Sequence, residues 1–236
     1  MKQVIRYIHF PFAFSSKQLQ QEFSQLSHQW IRHYNEAHYE GDWSALPLRS
    51  LGGSLTDLLP EAREDKTFAD TALMDTCPYM KQVINSFGCE VMGVRLLKLA
   101  PGAFIKEHKD AELCYEHGEA RIHVPILTND LVEFYIDGER VVMDEGSCWY
   151  MNFNLPHRIS NGGTTDRVHL VMDLKVNGTL QKTFDAVPDE RKKMTTLRDT
   201  FSRAEKESMI ASLRALDTPT AVDMANRLEV ELAKDQ

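Results

Sequence analysis

Between residues 99 and 175 the sequence consists of short, alternating apolar runs that are separated by turn signals. Asp137-Gly138, Glu145-Gly146 and Asn161-Gly162 punctuate these runs, and Asp-Gly is a dipeptide that favours a two-residue hairpin. Eight or so strands at short intervals, with no helical pattern between them, are typical of a jelly roll. We therefore predict a mainly β protein with a double-stranded β-helix (jelly-roll, cupin-like) core.

Helical patterns flank this core. A Ser15/Gln18 capping box begins a predicted amphipathic helix, whose apolar positions are Leu19, Phe23, Leu26, Trp30 and Tyr34. Beyond Asp185 the pattern changes, and three short helices are predicted over residues 188–200, 203–216 and 219–233. The sequence thus predicts a β-helix domain over residues 1–182 and a C-terminal helical appendage over residues 183–236.

Composition limits the compartment and the partners of the chain. Its four cysteines form no Cys-x-x-Cys pair, which favours reduced thiols in a cytoplasmic protein. Arg6 and His9 interrupt the first apolar run, so no signal peptide is expected, and no apolar stretch is long enough to span a membrane. The net charge is −8 without a block of Lys or Arg. Nucleic acid and anionic membranes are therefore not expected as partners, whereas homo-oligomerisation is left open.

Two histidines and one aspartate form the candidate metal site. His108 and Asp110 are two residues apart on a predicted extended segment, so their side chains point to one face. His157 follows much later in the chain. Together they make a two-histidine, one-carboxylate set, which is the arrangement of non-haem Fe(II) oxygenases. Arg167, ten residues after His157, supplies a planar cation that can hold a carboxylate with two hydrogen bonds.

Neighbouring polar residues are predicted to face the same cavity. If Ile122 and Val124 face the packed core, Arg121 and His123 face the cavity, because side chains alternate along a strand. Arg95 lies in a strongly apolar predicted strand and is a candidate for binding a substrate carboxylate, as Arg121 also is.

Two further residues have two interpretations each. Arg49 is either a strand-edge charge that faces water or a substrate-binding group in the cavity, since a buried arginine needs an anionic partner. Trp149 is either a core residue or a cavity wall that contacts substrate.

Several other histidines are predicted to lie outside the set of metal ligands, and two long segments are predicted to be loops. His28, His33 and His38 are predicted to be solvated and without a ligand role, because no acidic or cysteine partner lies at ligand spacing. His117 breaks the same-face spacing and is a weaker rival as a metal ligand. The polar segments 54–76 and 110–120 are predicted to be lids or binding loops.

The motifs together resemble the aspartyl/asparaginyl β-hydroxylase family of Fe(II)- and 2-oxoglutarate-dependent dioxygenases. The likeness covers roughly residues 89–175, and the helical tail is similar to the bacterial proline cis-hydroxylase branch. It is carried by these residues: Leu99-Ala100-Pro101-Gly102, His108-Lys109-Asp110, Arg121-Ile122-His123-Val124-Pro125-Ile126, Trp149-Tyr150-Met151-Asn152, His157, Asn161 and Arg167-Val168-His169-Leu170-Val171.

The resemblance implies roles for individual residues. His108, Asp110 and His157 would bind iron, and Arg167 would hold the far carboxylate of 2-oxoglutarate. Arg121 and His123 would lie beside the metal-chelating end of that cosubstrate, with O2 as the oxidant. Two departures stand out. Animal peptidyl-aspartyl hydroxylases have Gly in place of Asp110, and the family serine that helps to hold the cosubstrate is replaced here by Leu97.

Three functions follow as hypotheses. The first is a hydroxylase of a free amino acid or a closely related small molecule, with succinate and CO2 as coproducts. The second keeps this chemistry but acts on Asp, Asn or Pro side chains in a peptide or protein, or on an acyl chain. The third is a non-catalytic, cupin-like metal-binding module, since fold alone does not determine function.

Overall fold

The computed structural model describes residues 2–26, 30–58, 66–110, 113–197, 203–216 and 218–234. The helices are α1 (Ser16–Gln25), α2 (Pro78–Asn85), α3 (Gly178–Asp185), α4 (Arg203–Leu216) and α5 (Pro219–Lys234). The strands are β1 (Lys2–Ala13), β2 (Ile31–Arg32), β3 (Tyr39–Glu40), β4 (Trp43–Leu51), β5 (Phe68–Asp70), β6 (Val91–Leu99), β7 (Phe104–His108), β8 (Glu119–Leu127), β9 (Val132–Ile136), β10 (Glu139–Val141), β11 (Ser147–Met151), β12 (His157–Asn161), β13 (Arg167–Lys175) and β14 (Lys192–Leu197).

Most of these strands form two antiparallel sheets. The larger sheet contains the order β1-β11-β8-β13-β6-β4-β2, with β5 paired to β4. The smaller sheet has the order β10-β9-β12-β7-β3. The predicted mainly β, jelly-roll architecture with flanking helices is confirmed.

Two apolar clusters lie on opposite faces of the larger sheet. On one face, alternate side chains of β6, β8 and β13 pack with residues of α1, α2 and α3 such as Leu19, Met80 and Phe184. The other face, with Leu99 and Met151, packs against Ile105, Phe134 and Ile159 of the smaller sheet. The larger sheet is therefore buried on both sides, which explains its nearly continuous apolar strands.

Alternation along the strands decides which residues face the smaller sheet. On β13, Val168, Leu170 and Met172 belong to the helix-covered core. The intervening Arg167, His169 and Asp173 are therefore directed to the other face, since successive side chains point to opposite sides. The same period of two directs Arg95 of β6, and Arg121 and His123 of β8, to that face. The predicted orientation of Arg121 and His123 is confirmed, because Ile122 and Val124 lie in the core.

Helix α1 is shorter than the sequence predicts. Ser15 caps it, since the Ser15 Oγ accepts from the backbone N–H of Gln18 at 3.3 Å, but the helix ends at Gln25 and not near Tyr34. Trp30 keeps the apolar spacing from outside the helix and packs against Phe23, with ring centroids 6.2 Å apart. The apolar periodicity thus continued past the helix to Trp30, which is partly buried without being helical.

The predicted helix over residues 188–200 is also wrong within the described residues. A short 3-10 turn, Asp189–Arg191, is followed there by strand β14. The β-branched pair Thr195-Thr196 disfavours a helix. Residues 198–200 lie outside the described part of the chain. The other two predicted C-terminal helices are confirmed as α4 and α5.

The chain divides into two compact units. One comprises residues 5–194, and the other comprises residues 1–4 and 195–236. In the second unit α4 and α5 pack together, and Arg214 Nη2 donates to Asn226 Oδ1 at 2.6 Å and to Glu229 Oε2 at 3.0 Å. The predicted domain boundary after residue 182 stays a prediction. Among the described helices, none is long and apolar enough to cross a membrane.

Candidate active site

Antiparallel pairing brings the predicted metal ligands together. His157 at the start of β12 lies opposite His108 at the end of β7, and their ring centroids are 4.2 Å apart. Asp110 follows β7, with its Oδ1 3.6 Å from His108 Nε2. One ligand atom from each of the three residues lies within 4.8 Å of the other two. The predicted two-histidine, one-carboxylate cluster is therefore present in the fold.

Backbone carbonyls set the tautomers of both histidines. The Nδ1–H of His108 donates to the Lys106 carbonyl oxygen at 2.7 Å, and that of His157 donates to the Leu155 carbonyl oxygen at 3.0 Å. A carbonyl can only accept, so the Nε2 lone pairs are left available for a metal. Burial, followed by the nearby His108, lowers the pKa of His157 to about 4, so its imidazole is neutral at pH 7. Two imidazole nitrogens and one carboxylate are a donor set that fits Fe(II).

These ligands lie in a cavity of about 640 Å³ between the two sheets. Its wall carries four cations, the three arginines Arg95, Arg121 and Arg167 together with Lys109, and the three acids Asp110, Glu119 and Asp173. All three arginines are buried. The cavity next to the candidate metal ligands is thus concave and of the size that is usual for a small-molecule site, and its buried arginines make it suitable for an anion.

Asp173 joins two of the arginines. Its carboxylate accepts from Arg121 Nε at 2.6 Å, from Arg121 Nη2 at 3.1 Å and from Arg95 Nη1 at 2.9 Å. Burial alone raises the pKa of Asp173, but the two guanidinium groups outweigh it and hold the pKa below its usual range. Sequence reasoning missed Asp173. The available signal was its position in phase with Arg167 along the apolar strand β13.

Arg167 has a different environment. It is 2% exposed, and no carboxylate among the described residues lies within ion-pair distance. Its Nη2 donates to His169 Nδ1 at 3.0 Å, whereas its Nε has no hydrogen-bond partner in the described structure. Burial lowers the pKa of Arg167 to about 9, so the guanidinium is still charged at pH 7. A buried cation without an anion is costly, and this one is placed to receive an anionic ligand.

His123 and His169 continue from Arg167. His123 Nδ1 lies 3.3 Å from the same His169 nitrogen that accepts from Arg167. His123 Nε2 is buried without a partner among the described residues. Burial, and then the charge of Arg167, lowers the pKa of both histidines well below the usual value. His123 lines the cavity, as alternation along β8 predicts. Its place beside the metal-chelating end of a cosubstrate stays a prediction.

Two predicted substrate-binding residues lie elsewhere. Arg49 does not line the cavity: its side chain is 27% exposed, and it binds Asp70 Oδ1 at 2.8 Å and the carbonyls of Phe68 and Val91, both at 2.9 Å. Trp149 stacks on His9 with ring centroids 4.1 Å apart and is absent from the cavity wall. The first residue ties β4 to β5 and β6, and the second fits the core interpretation.

Histidines from an N-terminal segment line the cavity, contrary to the prediction that they are solvated. His33 stacks on Trp43 at 3.5 Å, and the His38 ring lies 5.0 Å from the ring of His108. Burial lowers the pKa of His33 to about 3. Nothing in the local sequence marks this segment, because the pairing of β3 with β7 brings it to the site. His28 lies outside the described residues.

The predicted lids are described only in part. Residues 59–65 and 111–112 lie outside the described residues, but Leu58 and Leu113 beside them line the cavity. His117, the rival ligand, also lines the cavity, and it does not join the His108, Asp110 and His157 cluster.

The fold and this site define a cupin-like protein with a candidate metal centre in its cavity. A profile of the aspartyl/asparaginyl beta-hydroxylase family matches residues 14–176, and the chain belongs to that family. The L-proline cis-4-hydroxylase of Rhizobium meliloti (strain 1021) is 26% identical over 137 residues, which are 57% of this chain and 48% of that protein. The chain thus spans about half the length of this relative.

Solved structures with a similar fold include two bacterial proteins. An oxidoreductase of the 2OG-Fe(II) oxygenase family from Burkholderia pseudomallei has a TM-score of 0.49 and 13% identity, over 73% of this chain and 87% of that chain. A Pseudomonas putida prolyl-4-hydroxylase has a TM-score of 0.45 and 12% identity, over 74% of this chain and 95% of that chain.

Proposed function

We propose that the protein is an Fe(II)- and 2-oxoglutarate-dependent dioxygenase that hydroxylates an unactivated C–H bond of a free amino acid or a closely related small molecule. The observation that carries the proposal is one cavity that contains both the His108, Asp110 and His157 cluster and the buried Arg167, which has no acidic partner among the described residues. The fold, the family and the L-proline cis-4-hydroxylase relative support the same chemistry.

His108, Asp110 and His157 would hold the metal through two Nε2 atoms and one carboxylate oxygen. When bound, Fe(II) would couple two reactions: the decarboxylation of 2-oxoglutarate to succinate and CO2, and the O2-dependent hydroxylation of the substrate. The protein fixes both imidazoles in orientation through the backbone carbonyls of Lys106 and Leu155, and it keeps His157 neutral. It also buries the site, so that reactants are aligned and water is excluded.

Arg167 would bind the distal carboxylate of 2-oxoglutarate. Its charge is buried and has no acidic partner among the described residues, so a dianionic cosubstrate would supply the missing counter-charge. His169 accepts a hydrogen bond from Nη2 of Arg167 and thereby orients the other N–H groups of the guanidinium. The Leu97 side chain has no hydrogen-bonding group, and His169 is therefore the helper that this chain offers Arg167.

A small anionic substrate fits the charge of the cavity wall. Arg95 uses Nη1 on Asp173 and retains further N–H donors toward the cavity, and the Trp43 indole N–H has no partner among the described residues. Both groups suit an amino-acid carboxylate. The relative, which is named for L-proline, supports a free amino acid, whereas the name of the family favours peptidyl Asp or Asn as the second candidate. We also propose a cytoplasmic location, since all four cysteines are free.

The test is turnover with defined components. The purified protein is incubated with Fe(II), 2-oxoglutarate, O2 and each of a panel of free amino acids, and succinate and a product heavier by one oxygen are measured together. We expect both products in equal amounts with at least one amino acid, and neither with His157→Ala. Succinate formation with Asp- or Asn-containing peptides alone would favour the second candidate. Bound iron without any 2-oxoglutarate affinity would favour the non-catalytic module.

A further inference from the structure

Four charged side chains form a continuous chain of ion pairs that ends at a candidate metal ligand. Arg95 Nη1 donates to Asp173, Asp173 accepts from two nitrogens of Arg121, and Arg121 Nη1 donates to Asp110 Oδ2 at 2.7 Å. The residues come from β6, β13, β8 and the segment after β7. The chain therefore connects the larger sheet to the site on the smaller sheet.

The geometry at Asp173 fixes the guanidinium plane of Arg121. The two residues lie directly opposite each other in the antiparallel pairing of β13 and β8. Arg121 Nε and Nη2 contact the two different oxygens of the fully buried Asp173, which is the fork arrangement that sets orientation as well as distance. With those two nitrogens fixed, Nη1 is aimed at Asp110.

Asp110 has few other constraints. It follows the end of β7, its side chain is 33% exposed, and its backbone N–H donates to the Phe153 carbonyl oxygen at 2.9 Å. Arg121 occupies Oδ2, so Oδ1, which faces His108 Nε2, is the oxygen left for a metal. A carboxylate on such a segment rotates freely unless a partner holds it.

We infer that Asp173 is a positioning residue that acts through Arg121: it holds the guanidinium so that Asp110 presents one chosen oxygen to the metal. Arg121 is then chiefly an organiser of the metal ligand and not chiefly a cosubstrate contact. This inference rests on the proposed function, because it requires that the cluster of His108, Asp110 and His157 binds a divalent cation.

The experiment measures metal binding without turnover. Co(II) is titrated into the metal-free protein in the absence of 2-oxoglutarate. Calorimetry gives the dissociation constant of Co(II), and the visible absorption spectrum reports its coordination. We expect Asp173→Asn to weaken Co(II) binding about 10- to 100-fold, as loss of a group that orients a metal ligand does, and to change the spectrum. Arg121→Lys should act alike, because an ammonium cannot bridge both carboxylates in a fixed plane.

Two controls separate positioning from general destabilisation. Arg95→Met removes a buried cation from the same chain of ion pairs without touching the link from Arg121 to Asp110, so the Co(II) affinity should stay within about threefold of wild type. In an Asp110→Ala background, adding Asp173→Asn should produce no further loss, because the two residues act through one ligand. Circular dichroism and thermal unfolding verify that each variant is folded, and Arg121→Lys replaces Asp173→Asn if the latter is not.

The outcomes are distinguishable. Wild-type protein that does not bind Co(II) would overturn the metal site and this inference with it. Wild-type binding with an unchanged affinity and spectrum in folded Asp173→Asn and Arg121→Lys would overturn the positioning role alone. An equal loss of affinity in Arg95→Met would assign the effect to charge or stability and would also overturn it.

Discussion

The Nη2 of Arg167 donates to Nδ1 of His169 at 3.0 Å, deep in the cavity wall, and among the described residues no carboxylate lies at ion-pair distance from this guanidinium. Arg95 and Arg121 are also buried, but both bind Asp173. Among the residues that the structure describes, Arg167 is therefore stabilised by a neutral imidazole and by no carboxylate. Removing a charge of this kind affects folding and ligand binding in opposite directions.

Arg167→Met should raise the free energy of unfolding of the ligand-free protein, by about 1–4 kcal/mol, because a well-packed apolar side chain replaces a buried charge. The same change should weaken 2-oxoglutarate binding by on the order of 100-fold or more, since the loss of one partner of a buried charge pair costs about 2–5 kcal/mol. Urea denaturation and calorimetry with the Mn(II)-loaded protein measure the two effects.

Arg49→Met is the matched control for this variant. It removes the ion pair with Asp70 outside the cavity, so 2-oxoglutarate affinity should be unchanged. Tight cosubstrate binding by Arg167→Met would contradict the assignment of Arg167 as the carboxylate site.

Two tryptophans give a second prediction. Trp43 lines the cavity with an unpartnered indole N–H, whereas Trp149 donates its N–H to Ser147 Oγ at 2.7 Å and stacks on His9. Trp43→Phe should raise the KM for the organic substrate about tenfold or more, the cost of a lost hydrogen bond to a charged group. Trp149→Phe should leave KM within about twofold. The KM of each variant is measured by steady-state kinetics at saturating 2-oxoglutarate. An equal change of KM in the two variants would contradict the assignment of Trp43, and not Trp149, to the cavity wall.

The protein should lose stability in acid, because the fold keeps several histidines neutral. Burial is the largest cause that lowers the pKa values of His33, His123 and His169 in the folded state, to about 3 for His33. The unfolded chain binds protons near pH 6.5, so below that pH it holds more protons than the folded chain and stability falls. For His33 this loss develops as the pH decreases from 6.5 to about 3.

The measurement is the free energy of unfolding of the metal-free protein between pH 8 and pH 4. His33→Phe keeps a ring that can stack on Trp43 but cannot be protonated. The free energy of unfolding of this variant should therefore depend less steeply on pH than that of wild type. The difference in slope should correspond to about one proton fewer taken up on unfolding. Identical slopes would show that His33 is not held neutral by the fold.

Glu22 provides a prediction about stability alone. Its buried carboxylate accepts from the backbone N–H groups of Tyr79 at 2.6 Å and Met80 at 2.9 Å, at the start of α2, where the helix dipole favours an anion. Glu22→Gln turns one acceptor into a donor and should lower the free energy of unfolding by about 1–3 kcal/mol. Glu207→Gln on α4, where the glutamate is solvent-exposed, is the control and should change little. Co(II) affinity should be the same in both variants.

Much of the architecture and the centre of the site could be predicted from the local sequence. Turn dipeptides and alternating strands predicted the jelly roll, and the spacing of His108 and Asp110 predicted a shared face, because both depend on periods of two residues. The helix predictions failed where apolar spacing came from tertiary burial, as at Trp30, or where Thr195 and Thr196 favoured a strand.

The sequence by itself determined the kinds of group in the site: two imidazoles, a carboxylate and several arginines in strands of known phase. Only the tertiary structure decided the partners of these groups. It placed Asp173 between Arg95 and Arg121, left Arg167 without an acid in the described residues, brought His33 and His38 into the cavity, and kept Arg49 and Trp149 out of it. Alternation gives the face of a strand on which a side chain lies, but strand order and register, which depend on contacts distant in sequence, decide which side chains meet there.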